Sequence, residues 1–153
     1  MNMDNEITIN GVTYIRKDKC NCPFMNDYRK YGFTGLTKIF NRHILHQIIA
    51  LKDFGDVKRG DIGGWIESED NLTQAGNAWV SGDAWVYGNA LIYGDARVFG
   101  DATVCENALV YGNARVYGNA WVCENARVYD NARVFGDALV CENALVCDNV
   151  KVH

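Results

Sequence analysis

The three histidines of this sequence, His43, His46 and His153, are its candidates for general acid–base catalysis. A general base must lie within hydrogen-bond reach of the group that it deprotonates. His43 and His46 precede the long repetitive segment of the chain, and His153 is its last residue. We interpret His43 and His46 as ordinary polar positions on a strand and predict no catalytic residue. A site built on His43 or His46 is the alternative.

The six cysteines offer thiol, disulfide or metal chemistry. A nucleophilic cysteine needs a neighbouring histidine or cation that lowers its pKa. Cys105, Cys123 and Cys141 recur every 18 residues beside apolar side chains, so we interpret them as free thiols on an apolar surface. Cys20 and Cys22 form a lone C-x-C, and zinc would need two further ligands nearby. We therefore predict no metal site.

The glycines of "GDIGGW", residues 60–65, resemble the glycines of a phosphate-binding loop only in number. No Lys-Ser or Lys-Thr pair follows them, and no strand–loop–helix pattern surrounds them. We interpret these glycines as turn residues.

A column of basic residues alternates with aromatic residues at the same 18-residue interval. These candidate partner-binding residues are Arg97, Phe99, Arg115, Tyr117, Arg133, Phe135 and Lys151. Cations beside rings suit an acidic protein surface or a nucleic-acid backbone. A solvated face with Asp95, Asp130 and Asp148 as counter-charges explains the same pattern, and the sequence leaves both explanations open.

A six-residue repeat positions these side chains. From Gly76 to His153 the chain divides without insertion into 13 units, with Asn or Asp at position two, Ala at position three and Val at position five, apart from Val150 and Ile92. Alternate residues of a strand point to opposite sides, so Ala and Val share the inner side. Gly, Asn and Asp tolerate the left-handed backbone of a corner. Each unit is therefore predicted to be one short strand and one turn.

Every third unit repeats its outward residues, which predicts three strands and 18 residues per coil. The basic face contains Trp79, Arg97, Arg115, Arg133 and Lys151, flanked by Ser81, Phe99, Tyr117, Phe135 and His153. The cysteine face contains Trp85, Thr103, Trp121 and Leu139, flanked by Tyr87, Cys105, Cys123 and Cys141. The tyrosine face contains Leu91, Leu109, Arg127 and Leu145, flanked by Tyr93, Tyr111, Tyr129 and Cys147. Glu106, Glu124 and Glu142 form a glutamate corner before the tyrosine face.

Two of these faces are too apolar to be left in water. We expect either that protomers pack along them or that the N-terminal region folds back over one, and strand edges after the last coil are a further candidate contact. The chain is predicted to be a homo-oligomer, a dimer or trimer. The interface candidates are Trp85, Tyr87, Trp121, Leu139, Tyr93, Leu109, Tyr111, Tyr129 and Leu145.

Each unit also carries an aliphatic residue and, four positions on, a small one, as in Val80 to Ala84. This pattern resembles the hexapeptide-repeat, left-handed β-helix proteins. Residues 43–80, "HILHQIIALKDFGDVKRGDIGGWIESEDNLTQAGNAWV", are similar to the entry segment of their YdcK-like branch, found in bacteria and phages. The resemblance implies an all-β fold: a single-stranded, left-handed parallel β-helix.

The N-terminal region is predicted to form a small β-rich cap over the coils. Asn10-Gly11 lies between two apolar runs, which is typical of a β-hairpin. Residues 36–51, "LTKIFNRHILHQIIAL", fit either a helix or a second hairpin, and the resemblance favours strands. We assign residues 1–54 to the cap, 55–75 to a turn-rich connector and first coil, and 76–153 to the repeat coils. Val57, Ile62 and Ile66 are expected to close the first coil.

Many hexapeptide-repeat proteins are acyltransferases, in which a coil or loop histidine acts as general base and a thioester cofactor lies along a groove. This sequence departs from that pattern, because no histidine lies inside the uninterrupted coils and no loop interrupts them. We expect no cofactor. An acyltransferase with a divergent site remains the alternative function.

Charge and hydropathy complete the prediction. Residues 1–54 hold 8 Lys and Arg against 5 Asp and Glu, and residues 55–153 hold 7 against 14, which disfavours a general nucleic-acid binder. The sequence shows no signal peptide and no apolar run long enough to span a membrane, so we expect a cytoplasmic protein, in a bacterial host if phage-encoded.

We predict a non-catalytic scaffold that binds proteins, for example a phage accessory protein inhibiting a host defence or CRISPR complex. An anion or nucleic-acid binder is a further alternative.

Overall fold

The computed structural model describes residues 6–9, 12–15 and 29–153, and strands supply nearly all of their regular structure. The first strands are β1 (Glu6–Ile9), β2 (Val12–Ile15), β3 (Tyr31–Phe40), β4 (His43–Ala50) and β5 (Ile62–Ile66). A short 3-10 helix, Glu69–Asn71, follows. The remaining strands have two residues each: β6 (Trp79–Val80), β7 (Trp85–Val86), β8 (Leu91–Ile92), β9 (Arg97–Val98), β10 (Thr103–Val104), β11 (Leu109–Val110), β12 (Arg115–Val116), β13 (Trp121–Val122), β14 (Arg127–Val128), β15 (Arg133–Val134), β16 (Leu139–Val140), β17 (Leu145–Val146) and β18 (Lys151–Val152).

From β6 onward the chain winds as a parallel β-solenoid, because each strand pairs with the strand three units later. The ladders are β6-β9-β12-β15-β18 for the basic face, β5-β7-β10-β13-β16 for the cysteine face and β8-β11-β14-β17 for the tyrosine face. The alanines at position three and the valines at position five are buried along most of the coils. These pairings confirm the all-β solenoid with 18 residues per coil and about 5 turns. The left-handed sense of the coil stays a prediction.

The corners of the solenoid need a left-handed backbone at position one of each unit. Glycine usually supplies it: at Gly118 φ is +70°, and a Cβ there would approach the backbone nitrogen of Gly136 to 2.8 Å. At the glutamate corner, Glu106, Glu124 and Glu142 adopt φ angles of 60°, 58° and 60°. A residue other than glycine is disfavoured there, so these carboxylates occupy the corner at some cost in backbone energy.

The N-terminal part forms the two predicted hairpins. Strands β1 and β2 pair antiparallel with Ile9 opposite Val12, and their turn residues lie outside the described part of the chain. Strands β3 and β4 also pair antiparallel, and Asn41 and Arg42 turn between them with φ angles of 45° and 71°. The strand interpretation of residues 36–51 is confirmed, and the helical alternative is wrong.

The second hairpin extends one sheet of the solenoid beyond its first coil. Strand β4 pairs antiparallel with β5, and β5 pairs parallel with β7, so β3 and β4 continue the cysteine-face ladder. The first edge of that ladder is therefore covered by strand pairing, which protects an edge that would otherwise be free to associate.

Side chains help to close the first edges of the other two ladders, and an isolated parallel bridge between Leu72 and Ile92 adds to the tyrosine-face edge. The buried Asn71 amide donates to the carbonyl oxygens of Gly88 and Ala90, at 3.1 and 2.8 Å. The buried Lys30 Nζ donates to the carbonyl oxygens of Ala78 and Gly76, at 2.7 and 3.4 Å. Burial lowers the pKa of Lys30 to about 8. The cap, through Lys30, and the connector, through Asn71, thus meet edge carbonyls with specific donors.

Two details of the connector differ from the sequence prediction. Val57 and Ile66 are buried as expected, but Ile62 is 50% exposed because it begins β5 on the outer side of the sheet. Gly63 and Gly64 lie within β5 and are not turn residues. A Cβ on Gly64 would meet the carbonyl oxygen of Ala84 at 2.8 Å, so close packing requires glycine at this position. Among the described residues, no helix has the length and apolar character needed to cross a bilayer.

Candidate interaction surface

The basic face is a straight column of cations on successive coils. Arg97, Arg115, Arg133 and Lys151 are direct register partners in the parallel ladder. Neighbouring strands of a sheet are about 4.8 Å apart, so these cations repeat at that spacing. Like charges directly opposite on adjacent strands destabilise a sheet. The cations of the column therefore repel one another, and an anionic partner bound along the column would reduce this repulsion.

A stack of rings runs beside the cations. The Phe99 and Tyr117 ring centroids are 4.8 Å apart and their planes differ by 2°. Tyr117 and Phe135 are 5.2 Å apart at 7°, and Phe135 and His153 are 5.2 Å apart at 27°. Each ring is held by its neighbours, so the stack is a rigid apolar strip along one side of the basic column.

Within the described part of the chain, the first arginine of the column is the one member with a carboxylate partner. Arg97 binds Asp56 of the connector, and this hydrogen bond lowers the pKa of the Asp56 carboxyl. Arg115, Arg133 and Lys151 make no ion pair with any carboxylate of the described residues. The expected counter-charges Asp95, Asp130 and Asp148 therefore do not pair with the column.

A groove opens beside this column with a volume of about 480 Å³. Its lining is Gly55, Asp56, Asn77, Ser81, Asp95, Arg97, Phe99, Asn113 and Arg115. The aspartates occupy the end nearest the connector, so the positive part of the face lies from Arg115 onward.

Trp79 starts the same ladder but does not contribute to the surface. It lies opposite Arg97 in register, yet only 3% of it is exposed. The Phe54 ring packs on it edge-on at 5.3 Å, and Tyr31 lies on another side at 6.4 Å. The cap and the connector therefore bury Trp79, the first outward-facing residue of the basic face, as part of the core.

On the cysteine face, the chain's own hairpin covers the first coils. Leu45 of β4 packs in a buried cluster with Trp65, Tyr87 and Cys105. The Phe40 ring lies 4.9 Å from Trp85. Tyr87 is buried and Trp85 is partly covered, so of the two expected ways of covering this face the fold uses its own N-terminal region here.

The later coils of that face remain open. Trp121 is 43% exposed and Leu139 is 64% exposed. On the tyrosine face, the rings of Tyr93, Tyr111 and Tyr129 stack at 4.8 and 5.1 Å. Leu109 is half-buried and Leu145 is exposed. A contact between protomers along these residues stays a prediction.

The column of cysteines contains two thiols whose pKa is raised. Cys105, Cys123 and Cys141 of this column are free, as is Cys147 of the tyrosine face. Burial raises the pKa of the Cys105 thiol, and burial together with the neighbouring cysteines raises that of Cys123 to about 11. A raised pKa makes a thiol a poorer nucleophile near neutral pH, in keeping with the interpretation of Cys105 and Cys123 as apolar surface.

A histidine–carboxylate pair lies where the hairpin meets the first coil. His43 Nδ1 is 2.5 Å from Glu67 Oε2, and the backbone nitrogen of Gly88 donates to Glu67 Oε1 at 3.0 Å. The His43 ring packs 4.7 Å from the Tyr87 ring. Sequence reasoning considered His43 but missed Glu67, because no periodic signal links residue 67 of the connector to β4.

The other two histidines lie elsewhere. His46 stacks on Phe33 with ring centroids 4.9 Å apart. It lines a groove of about 440 Å³ that shares Glu67 with the His43 pair and is otherwise lined by Arg29, Phe33, Ser68, Glu69 and Asp70. Carboxylates dominate the charged groups of that groove, although Arg29 binds Glu69 at 3.0 Å. His153 belongs to the ring stack of the basic face.

The fold and this surface define a parallel β-solenoid repeat protein that presents side-chain columns. A sequence model described as the YdcK β-solenoid repeat matches residues 90–106, 108–124 and 126–142. The matched segments lie within the repeat coils and make up about a third of the chain, so the coils are similar to the YdcK β-solenoid repeat.

One curated relative matches a short part of the chain. It is a protein of Escherichia coli (strain K12) described as the uncharacterized acetyltransferase YdcK, and it is 54% identical over 37 residues. The aligned part is 24% of this chain and only 11% of the relative's length. The likeness therefore concerns a segment and not the whole relative.

Proposed function

We propose that this protein is a non-catalytic scaffold that binds another protein through its basic face. The observation that carries this proposal is the set of three cations, Arg115, Arg133 and Lys151, aligned in register and lacking carboxylate partners in the described structure. The stacked rings of Tyr117 and Phe135 beside them supply apolar contact area.

The rigidity of this surface favours binding. Each coil is hydrogen-bonded to the next, as in Arg115 N to Ala132 O at 3.0 Å and Tyr117 N to Val134 O at 2.9 Å. Side chains held on such a frame lose less conformational freedom when a partner binds. A partner with several carboxylates on one surface would gain charge-assisted contacts along the column.

A protein partner suits this chain better than a nucleic acid. The net charge is −4, and residues 55–153 hold twice as many acidic as basic residues. The basic column is one residue wide and lies between two acidic corners, one with Asp95, Asp130 and Asp148 and the other with Asp83, Asp101 and Asp137. A long polyanion would meet these carboxylates, whereas a compact acidic surface need not.

The finer form of the proposal is a phage accessory protein in a bacterial cytoplasm that occupies a host surface, such as a defence or CRISPR complex. It is supported by the resemblance of residues 43–80 to a branch found in bacteria and phages. This support is associational, since a fold does not determine a function.

The test compares proteins captured from nuclease-treated bacterial lysate by the unchanged chain and by Arg115→Glu with Arg133→Glu. The matched control, Lys58→Glu with Arg59→Glu, makes the same change of charge at exposed connector residues. We expect a partner that the basic-face variant loses and the control keeps. Equal capture by both variants would contradict the proposal.

Acetyl transfer is the second candidate function, favoured by the His43–Glu67 pair and by the description of the Escherichia coli relative. Because Nδ1 of His43 faces the carboxylate, Nε2 is the nitrogen that could take a proton from the group that receives the acetyl group. The neighbouring groove contains Glu67, Glu69 and Asp70, which disfavour an anionic donor such as acetyl-CoA. This charge keeps acetyl transfer second.

Calorimetry with acetyl-CoA separates the two functions. Binding at micromolar concentration, together with an acetylation rate that His43→Gln abolishes and His46→Gln retains, would establish acetyl transfer and overturn the non-catalytic scaffold. Absence of heat and of turnover in the unchanged protein would remove this candidate.

A further inference from the structure

The glutamate corner is an anionic counterpart of the basic face. Glu106, Glu124 and Glu142 are exposed, and none has an ion-pair partner within the described ranges. Hydrogen bonds fix the adjacent asparagines from coil to coil: Asn107 Nδ2 donates to Asn125 Oδ1 and Asn125 Nδ2 to Asn143 Oδ1, both at 3.3 Å. The carboxylates therefore stand on a straight, regular edge.

The two charged columns lie on opposite sides of the solenoid. The glutamate corner separates the cysteine face from the tyrosine face, and the basic face is the third side of the three-sheet cross-section. Arg115 and Glu124 are thus turned away from each other and cannot pair within one copy. A single copy can use both columns at once, each toward a different neighbour.

The two columns also share one axial repeat. Both place one charge per 18-residue coil, so any twist or curvature of the solenoid affects them together. An unrelated protein surface seldom carries carboxylates at the strand spacing of about 4.8 Å over several levels. A second copy of this chain carries carboxylates at that spacing, because its glutamate corner has the same repeat as the basic face.

We propose that the basic face of one copy binds the glutamate corner of a second copy, side by side and with parallel axes. This inference rests on the proposed function, since it names a partner for the same surface. Arg115, Arg133 and Lys151 would face Glu106, Glu124 and Glu142 in register, and the contact is heterologous. Such contacts leave a free basic face at one side and a free glutamate corner at the other, so copies add in rows.

The strength of this contact follows from its exposure. Solvent-exposed ion pairs are individually weak and are screened by salt. Association therefore needs ion pairs on several successive coils and low ionic strength. Leu139 and Leu145 stand on the two faces that meet at the glutamate corner, and both are exposed. The ring stack lies on one side of the basic column, so in such a contact it can cover one of these two leucines, which adds apolar contact.

Charge exchange between the columns tests the contact. One variant carries Arg115→Glu with Arg133→Glu, and the other carries Glu124→Arg with Glu142→Arg. Glu124 and Glu142 already have a left-handed backbone without glycine, so arginine meets the same backbone cost there. Circular dichroism verifies the fold of each variant, and Arg115→Gln with Arg133→Gln serves as a milder second variant.

Sedimentation velocity is then measured at low and high salt. We expect the unchanged protein to associate at low salt, each charge-exchange variant alone to be monomeric, and an equimolar mixture of the two to associate again. The Lys58→Glu with Arg59→Glu control should associate like the unchanged protein. A monomeric unchanged protein at low salt, or a mixture that stays monomeric, would overturn the proposal.

Self-association and the binding of a foreign protein can be overturned independently of each other. A monomeric mixture, combined with a lysate partner that only the basic-face variant loses, overturns self-association and leaves the proposed function intact. Restored association in the mixture, combined with equal lysate capture by all variants, supports self-association and removes the foreign partner.

Discussion

The side-chain amide of Asn71 donates a hydrogen bond to the carbonyl oxygen of Ala90 at 2.8 Å, across the first edge of the tyrosine-face ladder. The carbonyl oxygen of the same side chain accepts from the backbone nitrogens of Glu67 and Ser68, at 3.1 and 2.9 Å. One buried residue thus ties the 3-10 turn to the first coil. The start of this solenoid sheet is closed by the Asn71 side chain together with a short parallel bridge between Leu72 and Ile92, in which Thr73 N donates to Ile92 O at 3.2 Å.

Replacing Asn71 by alanine should destabilise the protein by at least about 2 kcal/mol, because buried backbone donors and acceptors lose their partner. The free energy of unfolding in urea measures the effect. The matched control is Asn89→Ala, which removes an exposed hydrogen bond to Asn107 at 3.2 Å. We expect that control to change stability by less than about 1 kcal/mol. Equal losses in both variants would refute the closing role of Asn71.

Replacing Gly64 by alanine should destabilise the protein by about 1–3 kcal/mol, as overpacking of a core does. The added Cβ would lie 2.8 Å from the Ala84 carbonyl oxygen, which already accepts from the Trp65 nitrogen at 3.0 Å. Gly32→Ala is the control, because its Cβ would meet only the Leu51 side chain at 3.4 Å. Thermal unfolding should show a lower midpoint for Gly64→Ala alone.

Replacing Leu45 by alanine should destabilise the protein by about 2–5 kcal/mol, the range for a cavity left by a buried leucine. Leu45 is fully buried between the hairpin and the Trp65–Tyr87 cluster. Its neighbour Ile44 is exposed, so Ile44→Ala should change stability by less than about 1 kcal/mol. Tryptophan fluorescence of the Leu45 variant should also report a looser environment. Unchanged stability would mean that the hairpin does not pack on the cysteine face.

The alkylation rate of Cys123 should keep rising to a higher pH than the rate of a thiol with an ordinary pKa. Its pKa rises from 9.0 to about 11, so the thiolate fraction at pH 8 falls roughly 100-fold. The rate with iodoacetamide, followed by mass spectrometry of the Cys123 peptide, should therefore rise until about pH 11. The same cysteine in guanidinium-unfolded protein is the control.

The same shift has a consequence for stability. Between pH 9 and about 11 the unfolded state loses the Cys123 proton first, so this thiol makes the free energy of unfolding fall as pH rises. Cys123→Ala should flatten that part of the pH profile. A native alkylation rate that levels off near pH 9 would contradict the raised pKa.

Much of the fold follows from local alternation repeated along the chain. Ala114 and Val116 are buried while Arg115 between them is exposed, as the pattern of one unit predicts. The pairing of Arg115 with Arg133 follows from the 18-residue recurrence of outward residues. Such predictions succeed because each unit contacts only its neighbours, so the sequence of one coil specifies the surroundings of the next.

The residues that close the first coil were not predictable in this way. Lys30 and Asn71 belong to no repeat, and nothing in their sequence surroundings indicates that they meet edge carbonyls. The His43–Glu67 pair depends on how β4 pairs with β5 across an irregular register. These contacts join segments that do not repeat, so no periodicity foretells them.

The sequence by itself determined the coil, its corners and the composition of its three faces, because these depend on side-chain alternation and on residues that tolerate a left-handed backbone. Only the tertiary structure decided which outward residues remain a surface. Trp79 and Tyr87 occupy outward positions of the repeat yet are buried, because the connector and the second hairpin pack over them. Arg115 and Arg133 occupy equivalent positions beyond the reach of the cap, and there the repeat is left open to a partner.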